Sequence, residues 1–377
     1  MRRFSLLLFL LSLGALCVTS KSQMESNSRS LKEVFKQDFF IGAALNRRQF
    51  SEADVRDLAI IREQFNSITP ENQLKWAMIH PRPETYDFAG ADQYVSFGEK
   101  YRMFIVGHTL IWHRQTPDWV FKDAQGRQVD RATLLSRMRD HILTVVGRYK
   151  GRIKGWDVVN EAVNEDGSLR KSPWLQIIGP DYIQIACQIA HEADPAAQLY
   201  YNDYELENEP KRNGAIKLIK QLQQKGVQIA AVGLQGHDNL TWPTIKQQND
   251  TIDAFADLGI KVNITELDIN VLPRVSEEIG PRMKLDENNS KELNPYAAGL
   301  PESVNQSQAN RYAELFSTFK KHRDVIDRVT FWGVTDRDSW LNNWPVRGRT
   351  NYPLLFDREG KPKTAFEAIL RVADDTR

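Results

Sequence analysis

The sequence predicts an α/β protein of the (β/α)₈ type, a TIM barrel, with an enlarged loop after its seventh strand. Short apolar or β-branched runs recur eight times, and longer stretches with apolar residues at intervals of three and four lie between many of them. No glycine-rich phosphate loop of a nucleotide-binding fold follows the first run. Alternating strands and helices imply parallel strands with right-handed crossovers, and eight unbroken units favour a closed barrel over an open sheet.

The order of these elements follows the chain from about residue 31. The predicted strands are Phe39–Leu45, Phe65–Pro70, Met103–Leu110, Ile153–Asn160, Gln198–Asn202, Ile229–Gly236, Val262–Leu267 and Val329–Thr335. The predicted helices include Asp54–Gln64, Leu134–Arg148, Tyr182–Glu192, Ala215–Lys225, Thr244–Leu258 and Ala309–Lys321.

Length alone leaves the number of domains open. A chain of 377 residues can form two ordinary domains or one α/β barrel with insertions. The unbroken alternation predicts a single catalytic barrel over residues 31–377. A hydrophobic content of 41% is enough for a large core, and a formal net charge of +1 excludes the basic surface expected of a nucleic-acid-binding protein.

The N-terminus has the layout of a secretory signal. Arg2 and Arg3 precede a largely apolar run from Phe4 to Val18, and small residues follow it as far as Ser20. The run is too short for a good membrane span, and no comparable run recurs downstream. We therefore predict a signal peptide over residues 1–20 and secretion to the periplasm or the extracellular space.

Two alternatives to simple cleavage are an uncleaved anchor and lipid attachment at Cys17, which the bulky Leu16 disfavours. Residues 21–30 are mostly polar and predict a flexible lead-in. The cleaved chain would keep only Cys187, so no internal disulfide is expected. Cys187 lies in an apolar helical stretch, which indicates a buried packing residue, and a large core must supply the stability.

The segment Leu272–Ser307 is long, polar and rich in turn residues. It follows the seventh predicted strand, and loops after strands form the active-site face of a barrel. We expect an enlarged loop beside the site; the alternative is a solvated connector without a role.

Two glutamates stand at the ends of predicted strands. Glu161 follows the fourth strand, and Glu266 lies near the end of the seventh. These strands lie across the barrel mouth from one another, so both carboxylates can flank one substrate. Glycoside hydrolysis needs such a pair: one group protonates the leaving oxygen, and the other stabilises or attacks the anomeric carbon.

Six motifs surround these glutamates in a fixed order. They are Thr69-Pro70-Glu71-Asn72 with Lys75-Trp76, Gly107-His108-Thr109-Leu110 with Trp112-His113, Trp156-Asp157-Val158-Val159-Asn160-Glu161, Gln235-Gly236-His237, Ile264-Thr265-Glu266-Leu267-Asp268, and Phe331-Trp332-Gly333-Val334-Thr335-Asp336 with Ser339-Trp340. In these motifs the chain resembles the glycoside hydrolase family 10 xylanases, from about Leu31 to Leu370. Six ordered motifs are a specific signal, whereas Asn160-Glu161 alone is shared by related barrel glycosidases.

The resemblance implies an endo-1,4-β-xylanase that acts by retaining double displacement through a covalent glycosyl-enzyme. Glu161 matches the acid/base and Glu266 the nucleophile, which implies carboxyl groups about 5–5.5 Å apart. His237 is then expected to hydrogen-bond Glu266 and to be oriented by Asp268, and Asn160 to hold the sugar 2-hydroxyl at the cleavage point.

The remaining matches are expected to bind sugar. Charged and amide groups suit vicinal hydroxyls, and aromatic faces pack on sugar rings. The residues are Glu71, Asn72, Lys75, His108, Trp112, Gln115, Asn160, Gln235, Trp332 and Trp340. Bulky Trp332 and Trp340 could exclude the 6-hydroxymethyl group of glucose, which xylose lacks.

Neither a metal nor a cofactor is expected. His108 and His113 lack the spacing of a helical zinc pair, and there is no His-Glu-x-x-His motif. The expected partners are xylan and xylo-oligosaccharides, and the expected state is a monomer. Two alternatives stay open: an inactive carbohydrate-binding protein on the same barrel, and another glycosidase such as a cellulase or mannanase.

Overall fold

The computed structural model describes residues 29–276, 283–286 and 288–374. Its strands are β1 (Phe40–Leu45), β2 (Ser67–Pro70), β3 (Phe104–Ile111), β4 (Gly155–Asn160), β5 (Gln198–Asp203), β6 (Ala231–Leu234), β7 (Lys261–Asn270) and β8 (Ile326–Phe331). β1 pairs in parallel with β2 and β8, and β6 pairs with β7, so the sheet closes. The predicted eight-stranded barrel is confirmed.

A short strand, His237–Asn239, continues the direction of β6. It pairs with the far end of β7, where His237 lies opposite Asp268. Two residues, Gln235 and Gly236, separate it from β6. This extension carries His237 to the carboxyl end of the barrel, next to the predicted nucleophile strand.

Helices follow the strands and cover the barrel. They are α1 (Leu31–Val34), α2 (Arg47–Phe50), α3 (Val55–Gln64), α4 (Trp76–Ile79), α5 (Ala89–Lys100), α6 (Arg131–Arg148), α7 (Pro173–Ile178), α8 (Tyr182–Ala193), α9 (Glu209–Gln224), α10 (Ile245–Ala256), α11 (Ser290–Leu293), α12 (Glu302–Lys321) and α13 (Thr364–Asp374). Asp54 caps α3 by accepting from Asp57 N, and Thr244 forms a capping box with Gln247 at α10.

Three helices begin earlier than predicted. α6 begins at Arg131 and not at Leu134, α9 at Glu209 and not at Ala215, and α12 at Glu302 and not at Ala309. The first turns of α9 and α12 are mostly polar, so they lack the apolar spacing on which the prediction depended. In α9 a proline in the first turn favours this start, since proline lacks only a donor that the first turn leaves unused.

The eighth strand was placed too far along the chain. β8 runs from Ile326 to Phe331, whereas the prediction was Val329–Thr335. The chain leaves the sheet after Trp332 because Gly333 has φ +137°, a conformation that other residues rarely adopt. The aromatic and polar residues that follow therefore belong to the active-site loops.

The segment Leu272–Ser307 is not a plain loop. It contains α11 and the first six residues of α12. Asn294 Oδ1 accepts from Thr350 N at 2.7 Å, and Tyr352 donates its hydroxyl to Tyr296 O at 2.9 Å. These bonds fasten the segment to the loop after β8.

The two predicted N-terminal segments lie mostly outside the described residues, as does Cys17. Within the lead-in, Arg29 forms an ion pair with Asp374 at 2.6 Å, and Ser30 is buried. The last two residues of the predicted flexible segment therefore pack on the barrel. Among the helices of residues 29–276, 283–286 and 288–374, none combines the length and the apolar character needed to cross a bilayer.

Cys187 is a buried free thiol in α8, as predicted. Burial raises the pKa of this thiol to about 12, which makes it unreactive at neutral pH.

Gly107 leaves room for a bulky aromatic ring in the hydrophobic core. Trp156 in β4 is fully buried and pairs in register with Gly107 in β3. A Cβ at position 107 would lie 2.1 Å from Cε3 of Trp156. Glycine is therefore needed at this position to make room for the ring, and not to form a turn.

We expect Gly107→Ala to lower the free energy of unfolding by about 1–3 kcal/mol or more, because the methyl group overpacks the ring of Trp156. The matched control is Gly147→Ala in α6, where a new Cβ has no neighbour within 4 Å. That change should raise stability by roughly 0.5–1 kcal/mol, because alanine favours a helix interior over glycine. Denaturant unfolding measures both, and equal effects would contradict the packing argument.

Candidate active site

A cavity of about 580 Å³ opens at the carboxyl ends of the strands. Eleven of the predicted site residues line it: Lys75, His108, Trp112, Asn160, Glu161, Gln235, His237, Glu266, Asp268, Trp332 and Trp340. The two predicted catalytic glutamates thus face one space, from β4 and β7 respectively.

The backbone around Glu161 is unusual and well held. Glu161 has φ +57°, a left-handed conformation that is uncommon for residues other than glycine. Its N–H donates to Asn202 O at 2.9 Å, and its carbonyl accepts from Arg170 Nε at 2.9 Å. Strained conformations of this kind persist where surrounding contacts fix them, and they cluster at functional sites.

The carboxylate of Glu161 accepts three hydrogen bonds. Trp112 Nε1 donates to Oε2 at 2.9 Å, and Gln235 Nε2 and Asn160 Nδ2 donate to Oε1 at 3.2 and 3.4 Å. His113 Nδ1 lies 4.0 Å from Oε2. Burial lowers the pKa of His113 to about 3, with the nearby arginines acting in the same direction, so this ring is neutral beside Glu161.

Glu266 is only 5% exposed, and its two oxygens have separate partners. Asn202 Nδ2 donates to Oε1 at 2.8 Å, and His237 Nε2 lies 3.2 Å from Oε2. Burial alone would raise the pKa of Glu266, but the His237 hydrogen bond and the nearby histidine rings outweigh it. The pKa of Glu266 therefore lies below its ordinary value, and the group is held ionised.

His237 stands between two carboxylates. Its Nδ1 lies 3.1 Å from Asp268 Oδ1, and Trp340 Nε1 donates to Asp268 Oδ2 at 2.7 Å. Burial disfavours the charged ring, but the negative charges of Asp268 and Glu266 outweigh it, so the pKa of His237 lies well above its ordinary value. The three side chains therefore lie in the predicted sequence of contacts, with His237 between Asp268 and Glu266.

One amide network joins the two glutamates. Asn202 Nδ2 donates to Asn160 Oδ1 at 3.0 Å as well as to Glu266, and Gln235 Nε2 donates to Asn160 Oδ1 at 3.3 Å as well as to Glu161. Thr265 donates its hydroxyl to Asn202 Oδ1 at 2.6 Å, which fixes the orientation of that amide. The two carboxylates therefore bond different members of one connected set of three amides.

Lys75 and its neighbours form one wall of the cavity. Lys75 Nζ donates to Asn72 Oδ1 at 3.2 Å and lies 4.9 Å from the Trp112 ring centroid. Burial lowers the pKa of Lys75, although Glu266 and Glu71 act against this shift. Lys75 is the N-cap residue of α4 and is buried, not the solvated helical lysine that its sequence context suggests.

Three predicted sugar-binding residues do not line the main cavity. Asn72 and Gln115 meet behind Lys75, where Gln115 Nε2 donates to Asn72 Oδ1 at 3.3 Å. Glu71 lines a small adjoining cavity with Trp332 and Trp340. Burial raises the pKa of Glu71, with Lys75 opposing the shift.

The two predicted aromatic walls differ in their contacts. Trp332 is 8% exposed and packs edge-on against His108, whose Nδ1 lies 2.9 Å from Asp157 Oδ2. Trp340 borders the cavity and also donates to Asp268. Trp340 thus both borders the cavity and holds Asp268, the carboxylate beside His237.

Several site residues were missed in the sequence. Asn202, which donates to Glu266, is the second-last residue of β5 and has the same polar signature that identified Glu161, so this signal could have found it. Residues that line the cavity at positions without such a signature include Glu165, Tyr204, Glu205, Arg274 and Trp344. Arg274, Val275 and Ser276 come from the enlarged segment, so that segment borders the cavity and is not a solvated connector.

One acidic cluster lies apart from this cavity. Within the described ranges, Asp54, Asp57 and Asp338 are the only group of three or more potential metal ligands whose atoms lie within 4.8 Å of one another. Arg337 Nη2 lies 2.6, 3.2 and 2.9 Å from the three carboxylates in that order. A guanidinium therefore already bridges the three carboxylates.

Comparisons with known proteins agree with this geometry. A model of glycosyl hydrolase family 10 matches residues 30–372. The chain is similar to endo-1,4-beta-xylanase A of Xylanibacter ruminicola, at 43% identity over 364 residues that cover 97% of this chain and 98% of that protein. It is also similar to the beta-1,4-xylanase of Dictyoglomus thermophilum, at 43% identity over 377 residues that cover 98% and 99%.

Solved structures show the same likeness. A GH10 endoxylanase retrieved from a sugarcane soil metagenome superposes with a TM-score of 0.86 at 45% identity, covering 91% of this chain and 99% of that one. A mutant in complex with xylotriose gives a TM-score of 0.81 at 39% identity, covering 91% and 99%. The chain therefore belongs to glycosyl hydrolase family 10 and is a glycosidase.

Proposed function

We propose that the protein is an endo-1,4-β-xylanase that hydrolyses internal bonds of xylan with retention of configuration. The observation that carries this proposal is the arrangement of Glu161 and Glu266 in one cavity, held by shared amides but with different partners. The names of the relatives supply the substrate, since the compared proteins are xylanases.

In the first step Glu266 attacks the anomeric carbon while Glu161 gives its proton to the glycosidic oxygen. The bond between sugar and leaving chain breaks, and a covalent glycosyl-enzyme forms. In the second step Glu161 takes a proton from water, whose oxygen attacks the same carbon and releases Glu266. The histidine and amide hydrogen bonds to Glu266 suit this role, because they keep the attacking carboxylate ionised.

The other predicted residues take supporting roles in this proposal. His237 and Asp268 hold the nucleophile, and Asn160, which stands between both glutamates, holds the sugar 2-hydroxyl. The remaining predicted sugar contacts are Glu71, Asn72, Lys75, His108, Trp112, Gln115, Gln235, Trp332 and Trp340. Trp112 has a second role, since it donates to Glu161 directly.

An inactive carbohydrate-binding protein on the same barrel fits less well. Such a protein should have lost a catalytic glutamate or filled its cleft, and here both glutamates border an open cavity. We further propose that the enzyme is secreted after removal of residues 1–20 and acts as a monomer.

The first test is release of reducing ends from purified xylan, with cellulose and mannan alongside. We expect activity on xylan, and Glu266→Ala should lower it by several orders of magnitude because no covalent intermediate can form. A wild type that binds xylan without cleaving it would favour the carbohydrate-binding alternative. Greater activity on cellulose or mannan would overturn the substrate.

Glu161→Gln tests the acid/base role through leaving groups. Because glutamine cannot give a proton, kcat/KM on phenyl β-xylobioside should fall about 10²–10⁴-fold. Dinitrophenolate leaves without protonation, so kcat/KM on 2,4-dinitrophenyl β-xylobioside should fall far less. Equal losses on both substrates would contradict the assignment of Glu161.

His237→Ala tests the electrostatic support of the nucleophile. Glu266 must be ionised to attack, so kcat/KM is lost as the pH falls through its pKa. That pKa is low in the wild type; without His237 the burial of Glu266 dominates and the pKa rises. The acidic limb of the kcat/KM profile should therefore move to higher pH, by about one unit or more.

The control for this pH profile is His191→Ala, since His191 is exposed on α8. It should leave the acidic limb in place. An unchanged limb in His237→Ala would show that His237 does not set the ionisation of Glu266.

A further inference from the structure

A buried lysine lies behind Glu161, outside the predicted site. Lys211, in the first turn of α9, is 0% exposed. Its Nζ lies 3.2 Å from Asp203 Oδ1, 3.7 Å from Glu165 Oε1 and 3.1 Å from the centroid of the Tyr204 ring. A buried ammonium is costly unless it is paired, so these three contacts must hold it in place.

The Asp203 side of this contact reaches the chain that follows Glu161. Asp203 Oδ2 accepts from Val163 N at 3.3 Å and from the hydroxyl of Tyr201. That hydroxyl in turn accepts from Ala162 N at 3.2 Å. The two residues after Glu161 are thus fastened to Asp203, directly or through Tyr201.

The Tyr204 side returns to Glu161 by another route. Tyr204 donates its hydroxyl to Glu165 Oε1 at 2.7 Å and accepts from Arg170 Nη2 at 2.8 Å. Arg170 Nε donates to the carbonyl of Glu161 at 2.9 Å. Tyr204 and Glu165 both border the cavity.

These contacts form a ring around the backbone of Glu161. One arm runs from Lys211 through Asp203 to the residues after Glu161, and the other runs through Tyr204 and Arg170 to its carbonyl. Within this ring the strained backbone is that of Glu161, which has a left-handed conformation. The contacts of both arms are needed to hold this conformation.

We propose that Lys211 is a positioning residue for proton transfer to the leaving group. It does not touch substrate; its charge holds Asp203 and the Tyr204 wall together, and so fixes where the Glu161 carboxyl points. The inference rests on the proposed acid/base role of Glu161. Removing the charge while keeping the volume leaves Asp203 and Glu165 without their shared counter-ion, so the ring relaxes and Glu161 moves.

The alternative is that the ion pair between Lys211 and Asp203 only stabilises the fold. The chain offers a matched control, because Lys363 Nζ lies 3.0 Å from Asp336 Oδ2 and both side chains are buried. Neither residue borders the cavity. A purely structural pair should behave alike in both places.

The test compares Lys211→Met with Lys363→Met on the two aryl xylobiosides. We expect Lys211→Met to lower kcat/KM on phenyl β-xylobioside about 10- to 100-fold, since a displacement of about 1 Å can cost about 10²-fold. On the dinitrophenyl substrate the loss should be about threefold or less, because no proton is needed. Lys363→Met should lower the melting temperature and keep the ratio of the two rates.

Equal losses on both substrates in Lys211→Met, or no loss, would overturn the proposal. If Lys211→Met does not fold, Asp203→Asn breaks the same pair from its other side and must show the same selective loss. Lys211→Arg, which keeps the cation, should recover part of it. If Glu161→Gln shows no dependence on leaving group, the acid/base assignment fails; if Glu161→Gln shows it and Lys211→Met does not, only the role of Lys211 fails.

Discussion

The register in which neighbouring strands pair is the constraint on which the site depends. In β4 and β5, Asn160 lies opposite Asn202, and in β5 and β6, Asn202 lies opposite Gly233. A slip of one residue would turn each side chain to the other face of its strand. The register of β4 against β5 shifts between Asp157 and Val159, and beyond this shift Asn160 and Asn202 meet, so the amide network can link the two glutamates.

The same register explains why position 233 must lack a side chain. A Cβ at Gly233 would lie 2.1 Å from Asn202 Oδ1, so only glycine lets that amide turn toward Glu266. Thr265, which donates to the same oxygen, comes from the next strand, β7. Three consecutive strands thus cooperate to direct one Asn202 N–H at Glu266.

Burial strengthens the hydrogen bonds and charge interactions of this arrangement, and it also requires that every charged group have a partner. Inside the barrel a charge is poorly solvated, so each ionised group must have its own partners. Glu266 has Asn202 and His237, and His237 has Asp268, which Trp340 holds from the opposite side. A change at any member of this series is therefore expected to alter the surroundings of the Glu266 carboxylate.

The site residues that could be predicted from the sequence are those at the ends of strands. Glu161 and Glu266 are acidic residues at the ends of apolar strands, and their motifs extended the prediction to eleven of the residues that line the cavity. Lys211 could not be found in this way, because an isolated lysine in a polar stretch has the pattern of a solvated helix face. Its burial depends on the packing of α9 behind Tyr204, which the local sequence does not encode.

The starts of α9 and α12 were missed for a related reason. Apolar spacing reports only the face of a helix that touches the core, and the first turns of both helices are mostly polar. In α9 this polar turn is where Lys211 enters the interior. A position without a structural signal in the sequence thus belongs to the ring of contacts around the backbone of Glu161.

Trp340 has two roles that cannot be changed separately, since it lines the cavity and also holds Asp268. Its ring borders the sugar cavity, while its indole N–H is bonded to Asp268. Enlarging the pocket at this position would also release the group beside His237, so a gain in space would come with weaker support of Glu266. Trp332 contacts His108 and His237 through its ring. A change at Trp332 therefore alters the shape of the pocket without removing the hydrogen bond that holds Asp268.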